Sequence, residues 1–157
     1  MTKPRLGRWV ATLAITVVLG LAGCANAHSG GGGSSAPSAI SGNWVLASAA
    51  DAQAQLNLTG STVTLRIDGE KSGGQGPCNL YGSPMTGSAT GPRAAVYTGP
   101  IEIAHVRATQ RACLADSLNV LEGRYFAVLG KITSASLIDH SLVLRGPNVE
   151  LRFDKAK

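Results

Sequence analysis

The chain has 157 residues, enough for one domain of ordinary size. It carries 14 basic and 9 acidic side chains, but the basic ones form no dense stripe and are not interleaved with aromatic residues. This charge pattern excludes a typical nucleic-acid-binding protein.

The N-terminus has the pattern of a bacterial lipoprotein signal. Three basic residues precede the uncharged, mostly apolar stretch 9–22, and Cys24 follows a run of small residues. This stretch is shorter than the roughly 20 residues that a membrane-spanning helix needs, so cleavage is favoured. We therefore predict a signal peptide over 1–23 and lipidation of Cys24. Ordinary secretion with cleavage near Ala27, or an uncleaved anchor, are the alternatives.

Processing at Cys24 changes the charge balance. Three basic side chains leave with the signal, so residues 24–157 carry eleven basic and nine acidic side chains, a net charge of +2. Residues 24–39 are rich in Gly, Ala and Ser and cannot bury a core, so they are predicted to be a flexible tether. The predicted location is the outer face of the cell membrane, or the outer membrane or periplasm in a diderm host. The lipid on Cys24 is the predicted membrane contact.

The folded domain is predicted over 40–157, and its first part consists of short strands. Apolar and polar residues alternate there, as in half-buried strands, with turns of small and polar residues between them. The predicted strands are 44–47, 56–58, 63–67, 94–98 and 101–103, with Gly99 and Pro100 separating the last two.

Residues 73–82 contain four glycines and a proline, which predicts an ordered tight turn. A glycine-rich run can also cradle phosphate. Here no Gly-Lys-Ser/Thr ending and no helix start follow it, so a phosphate loop is excluded.

One helix is predicted after residue 116, with Ser117 as its N-cap. Its apolar side chains recur at helical spacing and form one core-facing stripe: Leu118, Leu121, Tyr125, Val128 and Leu129. Three strands joined by hairpin-like turns follow, at 136–138, 141–145 and 149–153. About eight short strands and one α-helix predict a mainly β protein, a small antiparallel barrel or a strongly curved sheet.

The three cysteines support export. Lipidation of Cys24 leaves Cys78 and Cys113 to pair, and a disulfide is the expected state outside the cytoplasm. It would close a loop of about 36 residues, worth roughly 4 kcal/mol in the chain-entropy model. A metal site of these cysteines with His105 or His140 is the alternative, although it lacks close Cys-x-x-Cys spacing.

Several motifs resemble the META domain, the HslJ-like heat-shock family. They are Gly76–Gly82, Ala108–Cys113, and Glu122 with Tyr125 and Leu129, together with the opening 43–46 and the closing 142–144 and 151–153. The resemblance covers about 41–154. It implies a β-barrel-like domain and no established catalytic activity.

We expect no enzyme, because no nucleophile elbow and no marked pair of acids is present. No catalytic residue, cofactor or metal is predicted. The expected function is that of a monomeric envelope lipoprotein that binds a protein partner or supports the envelope under stress. A small-ligand carrier is the main alternative, and an enzyme inhibitor that presents residues 73–82 is the next. The predicted partner-binding surface consists of Asn79, Tyr81, Thr109 and Arg111.

Overall fold

A computed structural model describes residues 38–87 and 97–157. The predicted signal peptide, Cys24, the tether before Ser38 and the part of the predicted strand that covers 94–96 lie outside these residues. No helix in the described part of the chain is long and apolar enough to span a membrane.

The strands form a closed antiparallel barrel, as predicted. Their bounds are β1 Gly42–Ala50, β2 Thr64–Asp68, β3 Lys71–Gln75, β4 Leu80–Gly87, β5 Tyr97–Ile103, β6 Arg107–Ala108, β7 Ser134–Ile138, β8 Ser141–Gly146 and β9 Val149–Lys155. Eight of them follow one another around the barrel in the order β3-β2-β1-β9-β8-β7-β5-β4, and β4 pairs with β3 to close the ring. The two-residue strand β6 also pairs with β4.

The barrel interior is filled by apolar side chains. Alternation places Val63, Leu65 and Ile67 inside and exposes Arg66, as the sequence predicted. Large side chains from several strands are completely or almost completely buried, among them Leu65, Met85, Leu142, Leu144, Leu151 and Phe153. A core of this kind leaves the strands held mainly by apolar contacts.

The one α-helix of the described residues, α1 (Asp116–Leu129), packs over the barrel end where β1 ends and β4 begins. It buries Leu121, Tyr125, Val128 and Leu129, four of the five residues of the predicted stripe. The predicted N-cap is wrong: Ala115 occupies that position, and no side chain caps the helix. The helix begins three residues after Cys113, so the disulfide holds the chain close to the start of the helix.

Two other local predictions are wrong, and a third is confirmed only in part. Residues 56–58 form no strand, because the preceding turn returns the chain to β1 for a single bridge between Ala50 and Gln55. Gly99 and Pro100 lie within β5 instead of separating two strands. The run 73–82 contains the predicted tight turn at 76–79, but its first glycines lie in β3 and its last residues in β4. A side chain at Gly74 would collide with the carbonyl oxygen of Thr64, so glycine here permits close strand approach.

The two ends of the domain lie side by side. β1 and β9 are antiparallel neighbours, with Trp44 opposite Lys155, and the Ala156 amide donates to the Asn43 carbonyl over 3.0 Å. The Lys155 ammonium lies 4.4 Å from the centre of the Trp44 ring. Chain entry and chain exit therefore share the barrel end opposite α1.

Candidate functional site: the Cys78 turn and the strap

The structure joins Cys78 to Cys113, as predicted, with their Cα atoms 5.5 Å apart. Cys78 lies in the turn between β3 and β4 (residues 76–79, the Cys78 turn). Cys113 lies in the irregular segment 109–115 that leads from β6 to α1, called the strap. The disulfide therefore ties the strap to the barrel at the end that α1 covers.

Buried Glu122 on α1 holds the Cys78 turn through hydrogen bonds. Its Oε2 atom accepts hydrogen bonds from the Cys78 amide over 2.9 Å and the Asn79 amide over 2.7 Å. Its Oε1 atom accepts a bond of 2.6 Å from Asn79 Nδ2. Among the described residues no lysine or arginine pairs with Glu122, which is only 8 % exposed. Three N–H donors therefore take the place of a counter-ion for this carboxylate.

The side-chain amide of Asn79 joins the turn to the strap. Its Oδ1 accepts from the Thr109 hydroxyl and the Arg111 amide, each over 2.7 Å. Its Nδ2 donates to Glu122 and, over 3.2 Å, to the Arg111 carbonyl. Two donated and two accepted bonds satisfy the whole amide group. The strap is therefore held twice, by this amide and by the disulfide beside it.

A pair of tyrosines continues the polar network into the core. The Tyr81 hydroxyl donates to the Thr64 carbonyl over 2.9 Å and lies 2.8 Å from the Tyr125 hydroxyl. Because Tyr81 uses its only proton on Thr64, Tyr125 is the donor between the two hydroxyls. Burial raises the pKa of both tyrosines well above the ordinary value, so both are neutral at physiological pH.

An ion pair fixes the other side of the helix. Arg124 binds both carboxylate oxygens of Asp51 over 2.8 Å, and Asp51 is almost covered. The same carboxylate accepts hydrogen bonds from the backbone amides of Gln53 and Ala54. The Arg124 guanidinium holds the pKa of Asp51 far below its usual range, chiefly through these hydrogen bonds.

The predicted binding residues fall into two groups. Asn79 and Tyr81 are 4 % and 7 % exposed and spend their polar groups on internal bonds, so as surface residues they were wrongly predicted. Thr109 and Arg111 are exposed on the strap, and Arg111 uses only its backbone for the bonds to Asn79. Leu114, also on the strap, is fully exposed.

The structure brings together a different set of candidate metal ligands from the predicted one. In the described part of the chain, the one group that could surround an ion is Cys78, Cys113 and Glu122, and it contains neither His105 nor His140. Its two sulfur atoms are joined to each other. Metal-binding cysteines act as thiolates, so the disulfide form offers no thiolate ligand at this position.

The part played by Glu122 was not predicted. The sequence marked it only as a position shared with the resembled family. A carboxylate beside Leu121 on the buried side of a helix was the available signal. Its partners lie more than 40 positions away in the chain, beyond the reach of local patterns.

Fold and site together define a class: a small antiparallel barrel with one covering helix and a strap tied down by a disulfide and a buried Asn–Glu pair. The META domain family model matches residues 38–157. The chain belongs to the META domain family.

Among solved structures, the chain is similar to a protein from Burkholderia xenovorans determined by NMR. The two share 19 % sequence identity and a TM-score of 0.54, over 73 % of this chain and 81 % of the other. This likeness concerns the fold alone. No curated protein in the comparison matches the chain significantly.

Proposed function

We propose that this META domain protein is a non-enzymatic lipoprotein of the bacterial envelope, anchored through Cys24, that binds a protein partner with its strap. The observation that carries the proposal is the strap itself. It presents the exposed side chains of Arg111 and Leu114 on a backbone held by the disulfide and by Asn79. A fixed segment loses little conformational entropy on binding, which favours its use as a recognition surface.

The filled barrel supports binding on the outside of the domain. A carrier needs an internal space of a few hundred Å³, and here the inward positions are occupied by large apolar side chains. The groups that could do acid–base chemistry near the strap, Glu122 and the two tyrosines, are engaged in internal hydrogen bonds. Both observations favour a binding protein over a carrier or an enzyme.

The anchor is tested by changing Cys24. The Cys24→Ser protein has no thiol to receive the acyl chains that together give stable anchoring. It should therefore move from the membrane fraction to the soluble exported fraction. An unlipidated protein that stayed in the membrane fraction would contradict the lipoprotein assignment.

The partner is tested by photo-crosslinking in living cells. A photoreactive residue at position 114 should give one discrete protein adduct of reproducible mass. The matched control carries the same residue at position 131, which is also exposed but lies just beyond the other end of α1. Equal adducts from both positions, or none from either, would contradict binding by the strap.

A further inference from the structure

A trough crosses the outer surface of the barrel beside the strap. Cross-strand pairing aligns four outward positions in one row: Arg66 on β2, Gly73 on β3, Gly82 on β4 and Arg107 on β6. The two glycines have no side chain, so the middle of the row is low and both ends carry a guanidinium. With neighbouring strands about 4.8 Å apart, the Cα atoms of the two arginines are separated by roughly 14 Å.

Two grooves that share Gly82 lie along this row. One, of about 440 Å³, is lined by residues that include Arg66, Asp68, Lys71, Gly73, Leu80 and Gly82. The other, also of about 440 Å³, is lined by Pro84, His105 and Arg107 and shares Gly82 with the first. Gly82 is therefore the shared floor at the centre of the trough.

Gly82 is not required by packing. A Cβ atom added there would come no closer than 3.8 Å to any other atom, an ordinary contact. Glycine weakens a strand, so an open position filled by glycine has a cost that packing does not explain. Glycine at position 82 leaves the trough unfilled.

The trough is positively charged. The charged side chains that line the two grooves are Arg66, Lys71 and Arg107 and one carboxylate, Asp68. Their net charge is +2, as large as that of the whole of residues 24–157. Lys71 and Arg107 make no ion pair within the described part of the chain. Asp68 binds one nitrogen of Arg66 over 3.0 Å, and the remaining guanidinium donors stay available.

The trough also has an apolar wall. Leu80 is 52 % exposed and lines the first groove, two residues along β4 from Gly82. A purely anionic glycan would leave this side chain without an apolar contact. A flat membrane surface would not reach the glycine floor between the two arginines. The ligand that fits is narrow and carries both acidic and apolar groups.

We propose that this trough binds an extended acidic segment of a partner protein, in which two carboxylates about four residues apart flank an apolar side chain. An extended chain advances about 3.3 Å per residue, so this spacing matches the distance between Arg66 and Arg107. The carboxylates pair with the two guanidinium groups, and the apolar side chain contacts Leu80. The inference rests on the proposed partner-binding function and adds the partner's chemistry.

The test is selection from a displayed library of random nine-residue peptides, with the full chain purified in nonionic detergent as bait. Peptides that bind the Gly82→Val protein are removed beforehand, because valine fills the trough. We expect the selected sequences to carry two acidic residues three to five positions apart with an apolar residue between them. No enrichment, or enrichment without the acidic pair, would overturn the proposal.

Fluorescence anisotropy with a selected, labelled peptide then locates the site. Arg107→Glu should weaken binding at least tenfold, whereas Arg145→Glu, an exposed arginine on β8, should leave it unchanged. Replacing the two acids of the peptide by amides should abolish binding, and added salt should weaken it. Equal effects of the two arginine changes would place the site elsewhere.

Anionic phospholipid vesicles serve as the competing ligand. Vesicle binding that depends on Arg107, with no peptide selected, would assign the trough to a membrane surface and overturn the peptide proposal. Crosslinking from position 114 is independent of both results. If that crosslink forms while no acidic peptide is selected, the trough inference fails and partner binding by the strap stands.

Discussion

Two regions of the domain are stabilised in different ways. The meander β7–β9 consists of strands adjacent in sequence, joined by tight turns, and its inward side chains are apolar and buried. The Cys78 turn, the strap and the start of α1 come from distant parts of the chain and are joined by one disulfide and by hydrogen bonds to Glu122 and Asn79. The comparison teaches that the first region depends on local order and apolar burial, and the second on a few long-range polar contacts.

The largest effect is expected from the apolar region. Phe153 is fully buried, and Phe153→Ala should reduce the free energy of unfolding by about 3–5 kcal/mol because it leaves a cavity in the core. Urea denaturation followed by tryptophan fluorescence measures the loss. A loss below about 1 kcal/mol would mean that the core closes around the cavity, contrary to a tightly packed meander.

The disulfide comes next. Replacing Cys78 and Cys113 together by serine should cost about 2–4 kcal/mol, because the unfolded chain loses its cross-link. Hydrogen exchange should show where the effect falls: amides of the strap and of the start of α1 exchange faster, while those of β8 and β9 change only with global stability. Uniformly faster exchange would contradict the division into two regions.

Glu122→Gln should cost about 2–3 kcal/mol, since a buried donor left without its acceptor carries a penalty of this size. The amide retains one acceptor oxygen but turns an NH₂ group toward backbone donors. Glu102→Gln on β5 is the matched control, because Glu102 is exposed. If the two variants were equally stable, the buried carboxylate would not be holding the Cys78 turn.

The smallest effect depends on pH. The pKa values of Tyr81 and Tyr125 are raised in the folded protein, so their contribution to stability is complete below pH about 10, where unfolded tyrosines begin to ionise. Above that pH the free energy of unfolding should fall by up to about 1.4 kcal/mol per pH unit for each tyrosine. Denaturation of the Tyr81→Phe, Tyr125→Phe double variant should show a shallower fall. An unchanged slope would show that other groups cause it.

The same division explains what could be predicted from the sequence. The meander has alternating apolar residues and turn residues between them, and its three strands were predicted close to their observed positions. The barrel followed from the number of short strands. The cysteine count gave the disulfide. By contrast, the burial of Asn79 and Tyr81 depends on partners about 17 to 44 positions away, and no local pattern carries that information.

Glycine caused a second type of error. The run 73–82 was predicted as a turn because glycine is rare within strands, yet Gly73 and Gly74 extend β3. Their place in a strand follows from how closely β2 and β4 approach them. Closeness of this kind is a property of the assembled barrel, and the composition of the run gives no sign of it.

The neighbouring ends of β1 and β9 have a practical consequence for reporter fusions. A fluorescent protein or affinity tag joined after Lys157 leaves the domain beside Asn43, at the end of the barrel away from α1 and the strap. Such a tag keeps clear of Arg111 and Leu114 on the strap, but it lies near Arg66, which is the cross-strand neighbour of Asn43 and forms one end of the trough. Labelled protein can therefore be followed in living cells with the strap uncovered, whereas work on the trough requires an untagged chain.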